Sequence, residues 1–287
     1  MSVPVLLVVL CGAFLHAGWN AFIKAGQDKA LDTALVHSLG FFVALPLLLY
    51  TGLPEPAAWP YMATSLAIHL GYYIALAGAY KYGDLGLTYP LMRGCAPLLV
   101  ALGSLAFIGE ALSSQAWLGV AVLCVGVVTL GLSRSAMHVQ GDAHRGKALG
   151  FALANAAIIA VYTVIDGIGV RLSGNAAAYV AGLFLFDGLP FLLLVLWRRP
   201  GRRLAALHYM KGRWPVALIG TMASLGSYGI ALWAMTRAPV AVVAALRETS
   251  VLFAALIGTL FLRENFGWQR AAGTLVILAG VMALRLG

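Results

Sequence analysis

The chain has 287 residues, 62% of them hydrophobic and only 10% charged, with a mean hydropathy of +0.91. A soluble domain carries roughly 45–50% apolar and about 25% charged residues, so an ordinary soluble fold is excluded and lipid is the solvent for most of this sequence. Lys and Arg outnumber Asp and Glu by 19 to 10, an excess read first as a membrane-orientation signal rather than as a nucleic-acid footprint.

The first apolar run, from Val3, has no basic segment ahead of it and carries His16, Trp19 and Asn20 where a signal peptide would be cleaved, so it reads as a retained helix. Runs of about 20 apolar residues, the length that crosses a bilayer, then recur along the chain. Ten are expected: Val3 to Lys24, Leu31 to Thr51, Ala57 to Tyr80, Gly86 to Phe107, Ser113 to Leu132, Ala148 to Leu172, Ala176 to Leu196, Trp214 to Met235, Pro239 to Leu262 and Gly267 to Leu286. The long connections are Ser133 to Lys147 and Trp197 to Arg213, and Phe186-Asp187-Gly188-Leu189-Pro190 reads as a helix break. The short alternating segments of a β-barrel are absent, so the expected fold is all-α and integral to the membrane. Cys11, Cys95 and Cys124 lie in apolar stretches without metal-ligand spacing, which argues against a disulfide framework or a metal site.

Residues 89–132 align with 243–286 at an offset of 154, pairing Arg93 with Arg247, Glu110 with Glu264, Gly119 with Gly273 and Gly126 with Gly280. With one residue of slip, Leu70-Gly71-Tyr72-Tyr73 matches Leu225-Gly226-Ser227-Tyr228. The expected organisation is a five-helix repeat over residues 1–132, a linker over 133–147 and a second repeat over 148–287. Five is odd, so the second repeat enters the membrane from the opposite side and the pair is inverted, the design that permits alternating access. The connections after the odd-numbered helices hold fourteen Lys and Arg against three on the other side, which places those connections in the cytoplasm and both termini outside a cytoplasmic (inner) membrane.

The doubled five-helix unit, Pro97 in the fourth helix, the Gly109-Glu110 step with its echo Arg263-Glu264, and the recurring glycines of the fifth and tenth helices resemble the drug/metabolite transporter superfamily. Within its ten-helix branch of amino-acid and metabolite exporters, the aromatic-rich third helix is most similar to bacterial aromatic amino acid exporters. The resemblance implies a secondary transporter and an exporter. It also implies cytoplasmic termini, against the charge count.

Charged residues near helix centres are costly in a bilayer and mark candidate substrate or ion paths. Here they are Arg93, Asp166, Asp187, Arg247 and Glu248. A guanidinium at Arg93 or Arg247 suits a substrate carboxylate; the alternative is a permanent structural pair with Asp166, Asp187 or Glu248. Glu248 or Asp166 suits a substrate ammonium or proton coupling, whereas Asp187 reads as a salt-bridge partner or an interface residue. Trp19, Asn20, His69, Tyr73, Tyr89, Tyr162 and Tyr228 are candidates for an aromatic, polar-tipped lining, with an interfacial aromatic belt as the alternative. His16 and His69 read as hydrogen-bonded core histidines rather than metal ligands.

No GxSxG, HExxH or Walker A motif is present. The expected protein is therefore a carrier and not an enzyme, with no cofactor, whose partners are a small-molecule substrate and the lipid bilayer, with no nucleic acid; a monomer satisfies the sequence, which does not fix the oligomeric state. Amino acids with aromatic or other large apolar side chains are the expected substrates. The alternatives are a carrier of organic cations or of phosphorylated or phosphonate solutes, and a membrane-embedded lipid-modifying enzyme.

Overall fold

The computed structural model describes residues 1–82, 85–131, 142–261 and 268–286. Within them the side chains of Lys24, Tyr73, Ala77, Tyr80, Lys81, Tyr89, Pro90 and of residues 85–87, 130–131, 142–145, 258–261 and 269–270 lie outside the description. The described residues form α1 (Val3–Ala25), α2 (Lys29–Thr51), a 3-10 turn (Pro56–Ala58), α3 (Trp59–Tyr82), α4 (Leu85–Ile108), α5 (Ser114–Gly131), α6 (Asp142–Leu172), α7 (Ala176–Trp197), α8 (Arg203–Met235), α9 (Val240–Arg247), α10 (Ser250–Phe261) and α11 (Trp268–Leu286), without a strand. Seven described segments, in α1, α2, α4, α6, α7, α8 and α9–α10, are long and apolar enough to cross a membrane.

Local chemistry sets several ends. Asp28 caps α2 by accepting from the Leu31 N–H, and Asn175 caps α7 by accepting from those of Ala177 and Ala178, each satisfying amides that a helix start leaves unpaired.

Three expectations change. Residues 203–213 are the first turns of α8, not a connection, and α6 likewise starts at Asp142. α7 runs unbroken through Asp187 and Pro190, because inside a packed bundle a helix keeps its other hydrogen bonds around one missing N–H. The ninth apolar run is two helices. At Glu248 and Thr249 the chain tightens into i→i−3 bonds, from Glu248 N–H to Ala245 O (3.0 Å) and from Thr249 N–H to Leu246 O (3.1 Å); such a tight turn inside a helical run marks a hinge.

Many small residues lie inside and many large ones outside, although Tyr179, Met92 and Leu232 are also fully buried. Ala13, Ala34, Ala101, Ala156 and Ala241 are wholly buried, whereas Phe42, Leu49, Phe107 and Leu193 are each more than 65% exposed. That distribution suits helices that pack closely together and turn bulk toward lipid tails. The main pairings are α2 on α7, α5 on α11, α3 on α6, α1 on α8, α4 on α6 and α1 on α10. Between α5 and α11, a Cβ on Gly126 would fall 2.7 Å from the Ile277 nitrogen, and one on Gly280 2.6 Å from the Leu123 nitrogen. Gly188 on α7 lies against the His37 carbonyl, so α2 and α7 cross backbone to backbone there.

Polar networks lie near both ends of α7. At its C-terminal end Arg199 grips Asp28 through both guanidinium nitrogens (2.6 and 3.0 Å). Beside that pair, Tyr209 and Arg213 both donate to Asp32 (2.9 and 2.7 Å). Near its N-terminal end, one helix length of roughly 33 Å away, Arg171 pairs with Glu110 at 2.6 Å and also donates to the carbonyls of Met235 and Ala238. Glu110 in turn accepts the Val240 N–H that opens α9 (2.8 Å).

Candidate functional site

Between these ends the helices enclose a cavity whose empty space, counting the open space at its mouth, is about 830 Å³. α1 contributes one wall. There Trp19 donates from its indole to His16 Nδ1 (3.3 Å) and Asn20 donates to the His16 carbonyl (2.8 Å). With Nδ1 accepting, the hydrogen of His16 is on Nε2. The far side of the Trp19 ring meets His37 edge to face, 5.8 Å between centroids.

A second wall comes from α2, α3 and α7. The two oxygens of Asp187 face His69 Nδ1 at 3.0 Å and His37 Nδ1 at 3.4 Å, and all three residues line the cavity. The close crossing at Gly188 is what brings α7 near enough to α2 for this contact. Tyr162 on α6 packs against His69, 4.6 Å between ring centres, and Tyr72 stands edge-on to Tyr162.

The third wall holds the arginines. Arg93 on α4 pairs with Glu248 at the hinge, Nε to Oε2 2.8 Å, both buried. Arg247, the last residue of α9, lays its guanidinium over the Tyr228 ring at 5.2 Å and has no ion-pair partner among the described residues. Tyr228 donates to Asp166, which also accepts from Tyr179 at 2.9 Å. Asp166 is fully buried beneath these rings.

Of the residues singled out in the sequence, Trp19, Asn20, His69, Arg93, Tyr162, Tyr228 and Arg247 thus line one cavity. Glu248 is engaged by Arg93, and Asp166 lies behind Tyr228 rather than in the lining. Tyr73 and Tyr89 sit on α3 and α4, with side chains outside the described residues. His37, Phe184, Ser224 and Ser227 join the lining without having been singled out, and Asp187, singled out but read in the sequence as a salt-bridge partner or an interface residue, joins it too. For His37 a signal existed, a histidine in the middle of an apolar run; for the two serines there was none. Among the described residues, no group of three or more His, Cys, Asp or Glu side chains is arranged to hold a metal ion.

Comparison with known proteins adds two findings. A solved protein crystal structure, 20% identical, superposes with a TM-score of 0.74 over 100% of this chain and 98% of its own, so the fold has been seen before. No functionally curated protein matches the sequence. The second finding concerns the later part of the chain: residues 146–286, from the first turns of α6 to the end of α11, match the EamA-like transporter family, a family of membrane transporters in the drug/metabolite transporter superfamily.

Proposed function

We propose that the whole chain is a secondary carrier that moves zwitterionic solutes, amino acids with aromatic or large apolar side chains, across the cytoplasmic membrane by alternating access. The observation that carries this reading is the polarity of one cavity. Among the described residues Arg247 is without a carboxylate on one wall, Asp187 lies on another, and Trp19, Tyr162, Phe184 and Tyr228 supply aromatic surface. A carboxylate suits the guanidinium of Arg247, an ammonium suits Asp187, and the rings take the side chain. Asp187 replaces Glu248 and Asp166 as the ammonium acceptor, because it lines the cavity and they do not.

Two inverted five-span halves, residues 1–132 and 148–287, are part of the proposal. Three observations support them. Gly126 meets Ile277 as Gly280 meets Leu123, positions 154 apart in each case. The contact of α3 with α6 has its counterpart in α1 with α8, and α4 with α6 in α1 with α10. The family match begins at residue 146, beside the expected boundary. The charge bias supports a cytoplasmic location for the Asp28–Arg199 end and termini on the outside; export is the direction that the resemblance implies.

The test is counterflow in liposomes preloaded with unlabelled L-phenylalanine, L-leucine, an organic cation or a phosphorylated metabolite. Exchange with the amino acids is the expected result. Exchange confined to cations or phosphorylated solutes overturns the substrate class, and chemical change in a recovered solute overturns the carrier.

A further inference from the structure

The cluster on the second wall has a feature that solute binding alone does not require. A single carboxylate, Asp187, holds two imidazoles, and the side chains of all three are only 12–15% exposed. A carboxylate only accepts, so both Nδ1 atoms facing it carry hydrogen, and the position at which each ring gains or loses a proton is Nε2. The groups around Asp187 come from every helix packed on α7. α2 supplies His37, α3 supplies His69, α6 supplies Asp166 and Tyr162, and α8 supplies Tyr228. Across the cavity stand His16 on α1, Arg93 on α4 and Arg247 on α9. Arg93 is neutralised by Glu248, and Asp166 is occupied by two tyrosine hydroxyls. Among the described residues Asp187 is therefore the one carboxylate that both lines the cavity and stands among imidazoles.

We propose that His37, Asp187 and His69 form a proton-binding site on the cavity wall, at which a proton and the ammonium group of the solute exclude one another. This rests on the carrier reading above and goes beyond it, since a carrier needs no coupling ion. In a cavity of low dielectric, one carboxylate balances one cation. As the ammonium reaches Asp187, the imidazolium releases its Nε2 proton to cavity water and becomes a neutral ring. When the ammonium leaves on the opposite side, water there returns a proton to Nε2. Each solute molecule thus crosses against one proton, and no other atom changes bonding.

The experiment uses liposomes carrying the full-length protein and labelled L-phenylalanine, measured first as exchange at equal pH and then as accumulation under a gradient of one pH unit, acidic on the side that fills. The gradient then drives protons out of the filling side as solute enters. Gradient-driven accumulation of several-fold, bounded at tenfold for one proton per solute, is expected, with the ratio of accumulation to equal-pH exchange falling at least fivefold in His37→Gln. His69→Gln gives the same reading should the first variant fail to fold. Because Trp19 meets His37, its fluorescence, taken as wild type minus Trp19→Phe, should be quenched on acidification. The quenching should persist in His16→Gln, vanish in His37→Gln and move to lower pH in saturating L-phenylalanine. Equal-pH exchange with accumulation indifferent to the gradient overturns the proton site and leaves the carrier standing; absence of exchange by every preloaded solute overturns both.

Discussion

Arg93 and Arg247 stand 154 positions apart on matching segments, yet they are engaged differently. Arg93 Nε lies 2.8 Å from Glu248, whereas Arg247 rests on the Tyr228 ring at 5.2 Å without a carboxylate partner among the described residues. The two alanine variants should therefore part company. Arg247→Ala removes charge-assisted hydrogen bonds to a bound carboxylate, about 1.5–3 kcal/mol, so the half-saturating L-phenylalanine concentration in counterflow should rise about tenfold to a hundredfold with unchanged thermal stability. Arg93→Ala strands a buried Glu248 and should lose about 3–5 kcal/mol of stability, read as a lower melting temperature in detergent.

Close backbone contact fixes the second expectation. At Gly280 a Cβ would fall 2.6 Å from the Leu123 nitrogen and 2.8 Å from its Cα, backbone atoms that cannot rotate away. Gly280→Ala should cost about 1–3 kcal/mol, and Gly126→Ala a similar amount. Gly18→Ala, where nothing lies within 4 Å, should be neutral or slightly stabilising, since alanine favours helix. Melting curves of the three variants decide it.

These contacts also show what was legible in the sequence and what was not. Apolar length revealed the helices, and the 154-residue offset pointed to Gly126 and Gly280 before their contact was visible. Hydropathy could not see the hinge at Glu248, since α9 and α10 are as apolar together as one span would be. Nor could it place Asp187, whose neighbours Gly188 and Pro190 carry the sequence marks of a break although α7 runs straight through them. The partner that makes Asp187 meaningful, His37, lies 150 residues away in the chain, and local spacing says nothing about such pairs.

Acid should act on the Asp28 end of the molecule. The forked hydrogen bonds from Arg199 hold the Asp28 carboxyl below its ordinary value, against a smaller opposing effect of burial. A lowered native value means that the pair stabilises fully above the ordinary aspartate range and is lost as the pH falls through the native value. The pair is about one-third exposed, so its contribution stays under about 1 kcal/mol. Melting temperatures of wild type and Arg199→Gln should differ at pH 7 and converge toward pH 3.

At the other end, Glu110 joins Arg171 to the first amide of α9. Glu110→Ala removes an ion pair and a helix-start acceptor together. A loss of about 1–2 kcal/mol is expected, with faster amide exchange at residues 240–243 and little change at α5 or α11. Uniform acceleration over the whole chain would show that Glu110 does not act locally on α9.

The broken helix carries a consequence for the opposite-facing form. α4 is continuous from Leu85 to Ile108, whereas the segment that aligns with it 154 residues on is divided into α9 and α10 immediately after Arg247. If the halves trade shapes during the cycle, the straight and the bent member of this pair must trade as well. The other form then has α9 and α10 fused into one rod and α4 bent after Arg93, at Gly94, which faces Val128 of α5. On the carrier reading proposed above, Glu248 would then be drawn into regular helix and Arg93 would take the place at a bend that Arg247 holds here, so that the guanidinium offered to the solute would change from one half of the molecule to the other as the carrier turns over.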